Sequence, residues 1–262
     1  MNSFLVGLQF LTRIHIVRQT AWTAEDFGRS TRFFPLVGLV LGICYALAAC
    51  ILVYSFGVFE RRTLTAVLLL ILPLLLTGGL HADGFMDTAD GVFSGRERER
   101  KLAIMKDSRV GSFGVVSFVL LMFLQFALLL DMHPFLLLTA LFIMPIIGRF
   151  AMVLAVACFP YARADGMGKT FADMADRRTV AIAAVTTAVL VMPCGLLASI
   201  ALVLGILFAL FFCRMITMTL GGVTGDVYGA VTVLTETLVL AVFSLASIRP
   251  DIWGLFWGIL WR

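Results

Sequence analysis

Long apolar stretches without a charged side chain are the feature that most constrains this chain. Four of them hold no Asp, Glu, Lys or Arg over 20 or more residues, and three of these, 33–59, 63–82 and 110–130, are each of a length for one span. A helix that crosses a lipid bilayer needs about 20 mainly apolar residues. With 61% hydrophobic and only 14% charged residues, the chain holds more apolar surface than a water-soluble domain of this size can bury. The sequence therefore predicts an all-α, polytopic integral membrane bundle, with one domain over 1–262.

Further spans follow from the rest of the chain. Residues 132–162 and 227–248 are each interrupted by a single charged residue. The uncharged stretch 179–213 is too long for one helix, and residues 192–195, Met-Pro-Cys-Gly, supply a turn that divides it, since Pro and Gly interrupt helices. We therefore expect about seven transmembrane helices.

The two ends of the chain are predicted to lie at the membrane surface. Within the N-terminal segment 1–32, apolar residues recur at helical spacing with Gln9, Thr12 and Arg13 opposite them, which predicts an amphipathic interfacial helix over 3–17. An ordinary first helix packed on the bundle is the alternative. The segment 252–262 is too short to span and contains three Trp residues, which are typical of an interfacial tail.

The distribution of lysine and arginine favours one orientation. With a cytoplasmic N-terminus, the inside segments hold 15 of these residues and the outside segments three. Cytoplasmic loops of membrane proteins usually carry more lysine and arginine than external loops do, so this orientation is favoured. The polar segments 78–114, 161–178 and 214–226 then face the cytoplasm and are expected to converge on one site. The net charge of +4 fits anionic lipid rather than nucleic acid, because no polar domain is present to carry a basic face.

A glycine-rich acidic segment, residues 78–91, is the most informative motif. In a helix Asp83, Asp87 and Asp90 fall at i, i+4 and i+7, within an arc of about 60°. Three carboxylates on one stripe repel each other unless a cation lies among them, and Mg²⁺ prefers oxygen ligands together with substrate phosphates. The alternative is a solvated helix end that pairs with the following arginines. We predict that the cytoplasmic loop 81–109 is catalytic and that the three aspartates bind the metal.

A basic segment follows the acidic motif. Lys106 and Arg109 lie three residues apart, which would place them on one face of a helix, and arginine is suited to bidentate phosphate contacts. With Asp107 and Ser108 between them, they are the expected phosphate-binding residues. Acids for a metal and bases for phosphate oxygens in one loop indicate a diphosphate substrate.

A second glycine-rich element precedes the last span. The residues expected to bind substrate or phosphate here are Gly221, Gly222, Thr224, Gly225 and Asp226. Backbone N–H groups in such a turn, followed by a helix N-terminus, form a site for an anion. Asp226 as no more than the N-cap of that helix is the alternative.

Three further residues attract attention because of their depth or position. Arg149 and Glu236 are predicted at membrane depth, where an unpaired charge is costly. They either pair with each other structurally or line a cleft in which Arg149 contacts substrate phosphate. His81, two residues before Asp83, is a candidate catalytic proton acceptor or substrate contact, with a plain hydrogen-bonding role as the alternative.

Four segments together resemble those of a known family. They are Phe34-Pro-Leu-Val-Gly38, the acidic motif from Gly78 to Gly91, Met105-Lys-Asp-Ser-Arg-Val-Gly111 and Gly221-Gly-Val-Thr-Gly-Asp226. In their order and spacing, from near the N-terminus to about residue 240, they resemble the cobalamin synthases, which are adenosylcobinamide-GDP ribazoletransferases.

The resemblance implies a bacterial or archaeal inner-membrane enzyme whose active site faces the cytoplasm. Such an enzyme joins adenosylcobinamide-GDP to α-ribazole, or to α-ribazole 5′-phosphate, and releases GMP. The product is adenosylcobalamin or its 5′-phosphate, and Mg²⁺ is the expected cofactor. The corrinoid is a substrate, so no cobalt ligation by protein side chains is expected. The choice of acceptor stays open, as does assembly into a homo-oligomer or a complex with other cobalamin-assembly enzymes.

Two other classes compete with this interpretation. CDP-alcohol phosphotransferases also use an aspartate cluster at the membrane edge, but Met86 and Asp87 stand here where that family's signature has Ala and Arg. A transporter would account for charges at membrane depth. No inverted repeat is visible between the halves of the chain, and the polar residues concentrate on one predicted face, which favours an enzyme.

Overall fold

The protein is a bundle of helices. The computed structural model describes residues 2–18, 23–55 and 62–248, and within these ranges it contains twelve α-helices and no β-strand. The helices are α1 (Ser3–Leu11), α2 (Ala24–Ser30), α3 (Phe34–Cys50), α4 (Arg62–Thr77), α5 (Leu80–Phe93), α6 (Arg98–Ile104), α7 (Ser112–Asp131), α8 (Pro134–Cys158), α9 (Met167–Met174), α10 (Arg177–Val191), α11 (Leu196–Leu220) and α12 (Gly225–Ser247).

The long apolar helices confirm the predicted polytopic membrane fold. Within the described residues six helical stretches are long and apolar enough to cross a bilayer, and the bent pair α4 and α5 adds a seventh if it is counted as one span. The predicted turn between the two helices of 179–213 is present as a short 3₁₀ helix, Met192–Cys194, followed by Gly195 with φ +105°. The orientation of the N-terminus stays a prediction.

Helix α8 forms the centre of the bundle. It is the most deeply buried span and packs against α3, α10, α11 and α12. A Cβ atom at Gly38 or Gly42 of α3 would overlap the backbone of α8 at Pro145 and Phe142 respectively. Glycine at these positions therefore allows the two helix backbones to approach closely, as is common in membranes.

The N-terminal segment differs from its prediction. Helix α1 ends at Leu11 rather than at residue 17, and the side chains of Gln9 and Thr12, expected on a polar face, are buried. Gln9 accepts a hydrogen bond from the Val17 amide (2.9 Å), and the Thr12 hydroxyl donates to the Leu8 carbonyl (2.6 Å). Helix α1 packs against α2 and α3, so the alternative of a first helix packed on the bundle describes it better. The predicted tail 252–262 lies outside the described residues.

The chain turns sharply between α4 and α5. The predicted span 63–82 ends at Thr77, and the two helix axes differ by 93°. Gly78 (φ +65°) and Gly79 (φ +75°) form the corner in the left-handed region that glycine adopts without strain. Helix α5 then packs against α7 and α12. Neither α4 nor α5 is among the six stretches that are long and apolar enough to span a bilayer alone, and α5 continues from α4 in a different direction.

Candidate active site

The acidic motif forms a helix, as its spacing requires, and the helix divides its carboxylates between two environments. On α5, Asp83 is exposed, Asp87 is half-buried and Asp90 is buried. Burial raises the pKa of the Asp87 carboxyl, and the nearby carboxylates of Asp226 of α12 and of Asp83 raise it further. Asp90 instead contacts the beginning of α7.

Helices α5 and α12 approach closely at the acidic motif. A Cβ atom at Gly84 would lie 2.7 Å from the carbonyl oxygen of Asp226, so only glycine allows this contact. The Asp226 side chain accepts hydrogen bonds from Arg163 (2.8 Å) and from the Thr224 hydroxyl (3.2 Å). The N-cap of α12 is Thr224, which accepts from the Val227 amide (3.4 Å). The alternative of Asp226 as the N-cap is therefore wrong.

Arg163 is a site residue that the sequence analysis did not single out. It lies in a loop that runs beside the second glycine-rich element, where Tyr161 and Val223 form an isolated parallel bridge. Val223 donates to the Pro160 carbonyl and accepts from the Ala162 amide, both at 2.8 Å. The prediction that segments 78–114, 161–178 and 214–226 converge would have been the signal for it, because the structure brings together residues from all three.

Crowding of negative charge is the main electrostatic feature of the site. The pKa of the Asp87 carboxyl rises to about 7, first because burial disfavours its charged form and then because the carboxylates of Asp226, Asp83 and Asp90 repel it. The guanidinium of Arg163 acts in the opposite direction. A site of this kind favours a bound cation, which neutralises the carboxylates together.

Asp90 serves as an anchor for α7. Its two carboxylate oxygens accept hydrogen bonds from the amides of Gly111 (2.7 Å) and Gly114 (2.8 Å). A Cβ atom at either glycine would overlap the Asp90 carboxylate. A carboxylate at a helix N-terminus satisfies amides that have no partner within the helix, so Asp90 fixes α5 against α7.

The remaining carboxylates supply only oxygen donors. Within the described residues, no three His, Cys, Asp or Glu side chains are arranged as they would be around a metal ion. The repulsion at Asp87 from Asp226 and Asp83 is opposed by Arg163, and oxygen donors are the ligands that a hard divalent cation such as Mg²⁺ prefers. Binding of Mg²⁺ by Asp83, Asp87 and Asp90 stays a prediction.

The basic segment does not form the predicted helical face. Helix α6 ends at Ile104, and Lys106, Asp107, Ser108 and Arg109 are exposed in the following loop. Arg109 donates to Asp107 from Nε (3.1 Å) and Nη2 (2.8 Å), which lowers the pKa of the Asp107 carboxyl to about 2. The expectation of one helical face is thus wrong, and phosphate binding by these residues stays a prediction.

Arg149 and Glu236 form a buried ion pair, which confirms the pairing predicted for them. The Arg149 side chain is 0% exposed, and its Nη1 donates to Oε1 of Glu236. The pair faces an internal cavity of about 40 Å³ that His81 and Tyr45 also line. Arg149 Nε and Nη2, His81 Nε2 and the Tyr45 hydroxyl have no hydrogen-bond partner among the described residues. Phosphate binding by Arg149 and catalysis by His81 stay predictions.

Comparison with known proteins identifies the family. A family model described as cobalamin-5-phosphate synthase matches residues 3–244, which is nearly the whole chain. The chain belongs to this family. It is 38% identical over 238 residues to the adenosylcobinamide-GDP ribazoletransferase of Clostridium acetobutylicum, with 90% of this chain and 93% of the relative aligned. It is 40% identical over 252 residues to the enzyme of that name from Desulfitobacterium hafniense, covering 92% of this chain and 95% of the relative. No solved structure matches the chain.

Two cavities border Asp83 in this member of the cobalamin-5-phosphate synthase family. The larger, of about 610 Å³, lies between the N-terminal segment and the corner at Gly78 and Gly79, and Arg13 lines it. The smaller, of about 230 Å³, lies between α1, α9 and α12 and extends to Asp226. Asp83 therefore stands where two separate spaces meet, which suits a transferase that brings two substrates together.

Proposed function

We propose that this chain joins adenosylcobinamide-GDP to α-ribazole, or to α-ribazole 5′-phosphate, and releases GMP. The name of its relatives, adenosylcobinamide-GDP ribazoletransferase, supports adenosylcobinamide-GDP as the donor and a ribazole compound as the acceptor. The observation that carries the proposal is that Asp83 lines two cavities and Asp226 one of them, while Asp87 and Arg163 interact with these carboxylates.

The reaction transfers the cobinamide phosphate group from GMP to a hydroxyl group of the acceptor. A hydroxyl oxygen of the acceptor forms a bond to the cobinamide-linked phosphorus of the diphosphate, the bond from that phosphorus to the bridging oxygen breaks, and GMP leaves with the electron pair. The hydroxyl proton must be accepted, and negative charge accumulates on the leaving group. A site for this reaction needs carboxylates, a cation and a fixed approach of the two substrates.

The residues at the meeting of the two cavities meet these needs. Asp83 lines both cavities, which supports a role for its carboxylate as the acceptor of the hydroxyl proton. Asp83, Asp87 and Asp226 would hold Mg²⁺, which would neutralise the charge of the diphosphate. Asp90 holds α5 against α7, and Arg163 fixes the Asp226 side chain.

GMP release by purified protein tests this function directly. Protein in lipid discs receives adenosylcobinamide-GDP and α-ribazole, with and without Mg²⁺, and GMP and the corrinoid product are followed together. We expect both products only with Mg²⁺. Folded protein that yields neither product contradicts the proposal, and CMP release from CDP-diacylglycerol would favour the CDP-alcohol class.

A matched pair of variants tests the aspartate site. Asp87→Asn removes one charge from the crowded cluster, and we expect transfer to fall by at least about a hundredfold in folded protein, as for loss of a group that acts in the transition state. Asp131→Asn changes an exposed aspartate at the opposite end of α7 and should transfer normally. Near-normal turnover by Asp87→Asn would contradict the role of the cluster.

We further propose that the protein lies in the plasma membrane with this site facing the cytoplasm. The excess of lysine and arginine on one predicted side supports this orientation. In a cysteine-free background, Lys106→Cys should react with an impermeant maleimide in inverted vesicles and Met192→Cys in spheroplasts. The opposite pattern would reverse the orientation.

A further inference from the structure

The two cavities at Asp83 differ sharply in their walls. Both include Asp83, Leu80 and Phe10, so they meet along one edge. Beyond that edge the larger cavity includes Arg13 and a single aromatic ring, Phe118, whereas the smaller one contains no arginine and has three aromatic rings, those of Phe34, Phe171 and Tyr228. The difference in chemistry indicates different ligands.

Arg13 places a positive charge on the wall of the larger cavity. Its backbone amide donates to the carbonyl of Leu76 in α4 (2.7 Å), which fixes the residue against the corner. Its guanidinium occupies the space that a Cβ atom at Gly78 would need. Among the ion pairs of the described residues none includes Arg13. An exposed guanidinium held in this way, near Asp83, is suited to the oxygens of a diphosphate.

The smaller cavity has a preformed aromatic wall. The rings of Phe10 and Phe34 lie 5.2 Å and 5.8 Å from the ring of Phe171, centroid to centroid. These contacts fix the rings before any ligand binds, and Tyr228 lines the same space. A flat aromatic base gains both apolar burial and ring contacts from such a wall.

Polar groups line one edge of the smaller cavity. Asp83 and Asp226 lie there with Gly84 and Gly225. Carboxylates accept hydrogen bonds from hydroxyl groups, so this edge suits a sugar. A ligand that joins an aromatic base to a hydroxylated ribose therefore suits a cavity lined by both aromatic rings and carboxylates.

We propose that the two cavities divide the substrates: the larger, Arg13-lined cavity binds the diphosphate of the donor, and the smaller, aromatic cavity binds the nucleoside acceptor. This division rests on the proposed function. Arg13 contacts the donor phosphates, the aromatic wall contacts the base of the acceptor, and the ribose reaches Asp83 at the shared edge.

Arg13→Gln tests the donor cavity. Adenosylcobinamide-GDP binding is measured by equilibrium dialysis without acceptor, so no turnover occurs. We expect the dissociation constant to rise about 10- to 100-fold, as for loss of a hydrogen bond to a charged group, with α-ribazole binding unchanged. Arg18→Gln, an exposed arginine of the same segment that lines neither cavity, is the matched control and should leave both constants unchanged.

Met167→Trp tests the acceptor cavity. Met167 lines the cavity but its side chain is 58% exposed, so an indole can enter the space without disturbing the core. We expect α-ribazole to bind at least about tenfold more weakly, with donor binding unchanged. Met218→Trp is the control, because Met218 is 71% exposed on α11 and lines neither cavity.

The outcomes separate this division from the proposed function. Each variant weakening only its own substrate supports the division. Arg13→Gln that weakens only the acceptor, Met167→Trp that weakens only the donor, or two variants that bind both substrates normally would overturn it. Wild-type protein that binds both substrates separately and yields no cobalamin would instead count against the proposed transfer reaction.

Discussion

The buried pair of Arg149 and Glu236 allows a prediction whose size follows from its surroundings. Arg149 is 0% exposed and Glu236 is 7% exposed, and they lie on the membrane helices α8 and α12. Glu236→Leu removes one charge and leaves the guanidinium without a counter-charge. Removing one partner of a buried pair costs about 3–5 kcal/mol, so we expect the free energy of unfolding to fall by that amount.

Replacing both partners should be far less harmful. The double variant Arg149→Met with Glu236→Leu removes both charges and the two guanidinium nitrogens, Nε and Nη2, that have no partner among the described residues. Apolar replacement of a whole buried pair is often neutral or stabilising. We therefore expect a coupling energy of at least about 2 kcal/mol between the two sites, which makes the double variant more stable than Glu236→Leu alone.

Reversible unfolding in mixed detergent micelles measures this energy. Far-ultraviolet circular dichroism follows helix loss as the denaturing detergent is increased, for the wild type, both single variants and the double variant. A loss below about 1 kcal/mol for Glu236→Leu, or a double variant whose loss equals the sum of the two, would refute the argument from burial. Binding of adenosylcobinamide-GDP to the folded double variant then tests phosphate binding by Arg149, because a purely structural pair leaves donor affinity unchanged.

Three smaller changes test other contacts. Asp90→Asn removes a charge-assisted acceptor at the start of α7 and should lower stability by about 2 kcal/mol, measured as a lower unfolding midpoint; an unchanged midpoint would contradict the anchoring role. Gly84→Ala places a methyl group 2.7 Å from the carbonyl oxygen of Asp226, so transfer should be lost with an overpacking cost of about 1–3 kcal/mol; normal turnover would show that the helices can separate freely. Arg98→Gln removes the Nε donor to the carbonyl of Leu220 (2.7 Å) at the end of α11. We expect stability to fall by less than about 1 kcal/mol, seen as a slightly lower unfolding midpoint, with normal transfer.

Short sequence patterns predicted the features that depend on a single segment of the chain. The uncharged stretches gave the spans because each helix must be apolar over its own length. The spacing of Asp83, Asp87 and Asp90 gave helix α5 because helical periodicity is a property of a single segment. The turn before Gly195 was equally readable, since Pro and Gly interrupt a helix regardless of its neighbours.

Tertiary contacts account for what the sequence could not predict. A glycine pair is compatible with a continuous membrane helix and with a corner, and the choice at Gly78 and Gly79 depends on Arg13 and on the helices packed around α5. Arg163 and Asp226 are 63 residues apart, and no local pattern marks them as a pair. By its spacing Asp90 belongs with Asp83 and Asp87 on the face predicted to bind a metal. Its carboxylate instead contacts amides at the start of α7, and only the packed structure brings the start of that helix within reach.

The corner between α4 and α5 should also restrict how many residues the chain can have between these two helices. Each residue added to a helix turns everything after it by about 100° and advances it by about 1.5 Å. One residue inserted between Gly79 and Leu80 would therefore point Asp83 and Asp87 away from Asp226 if α4 stayed in place. A surface loop absorbs an added residue without such a rotation, so this corner should be among the positions least tolerant of insertion or deletion.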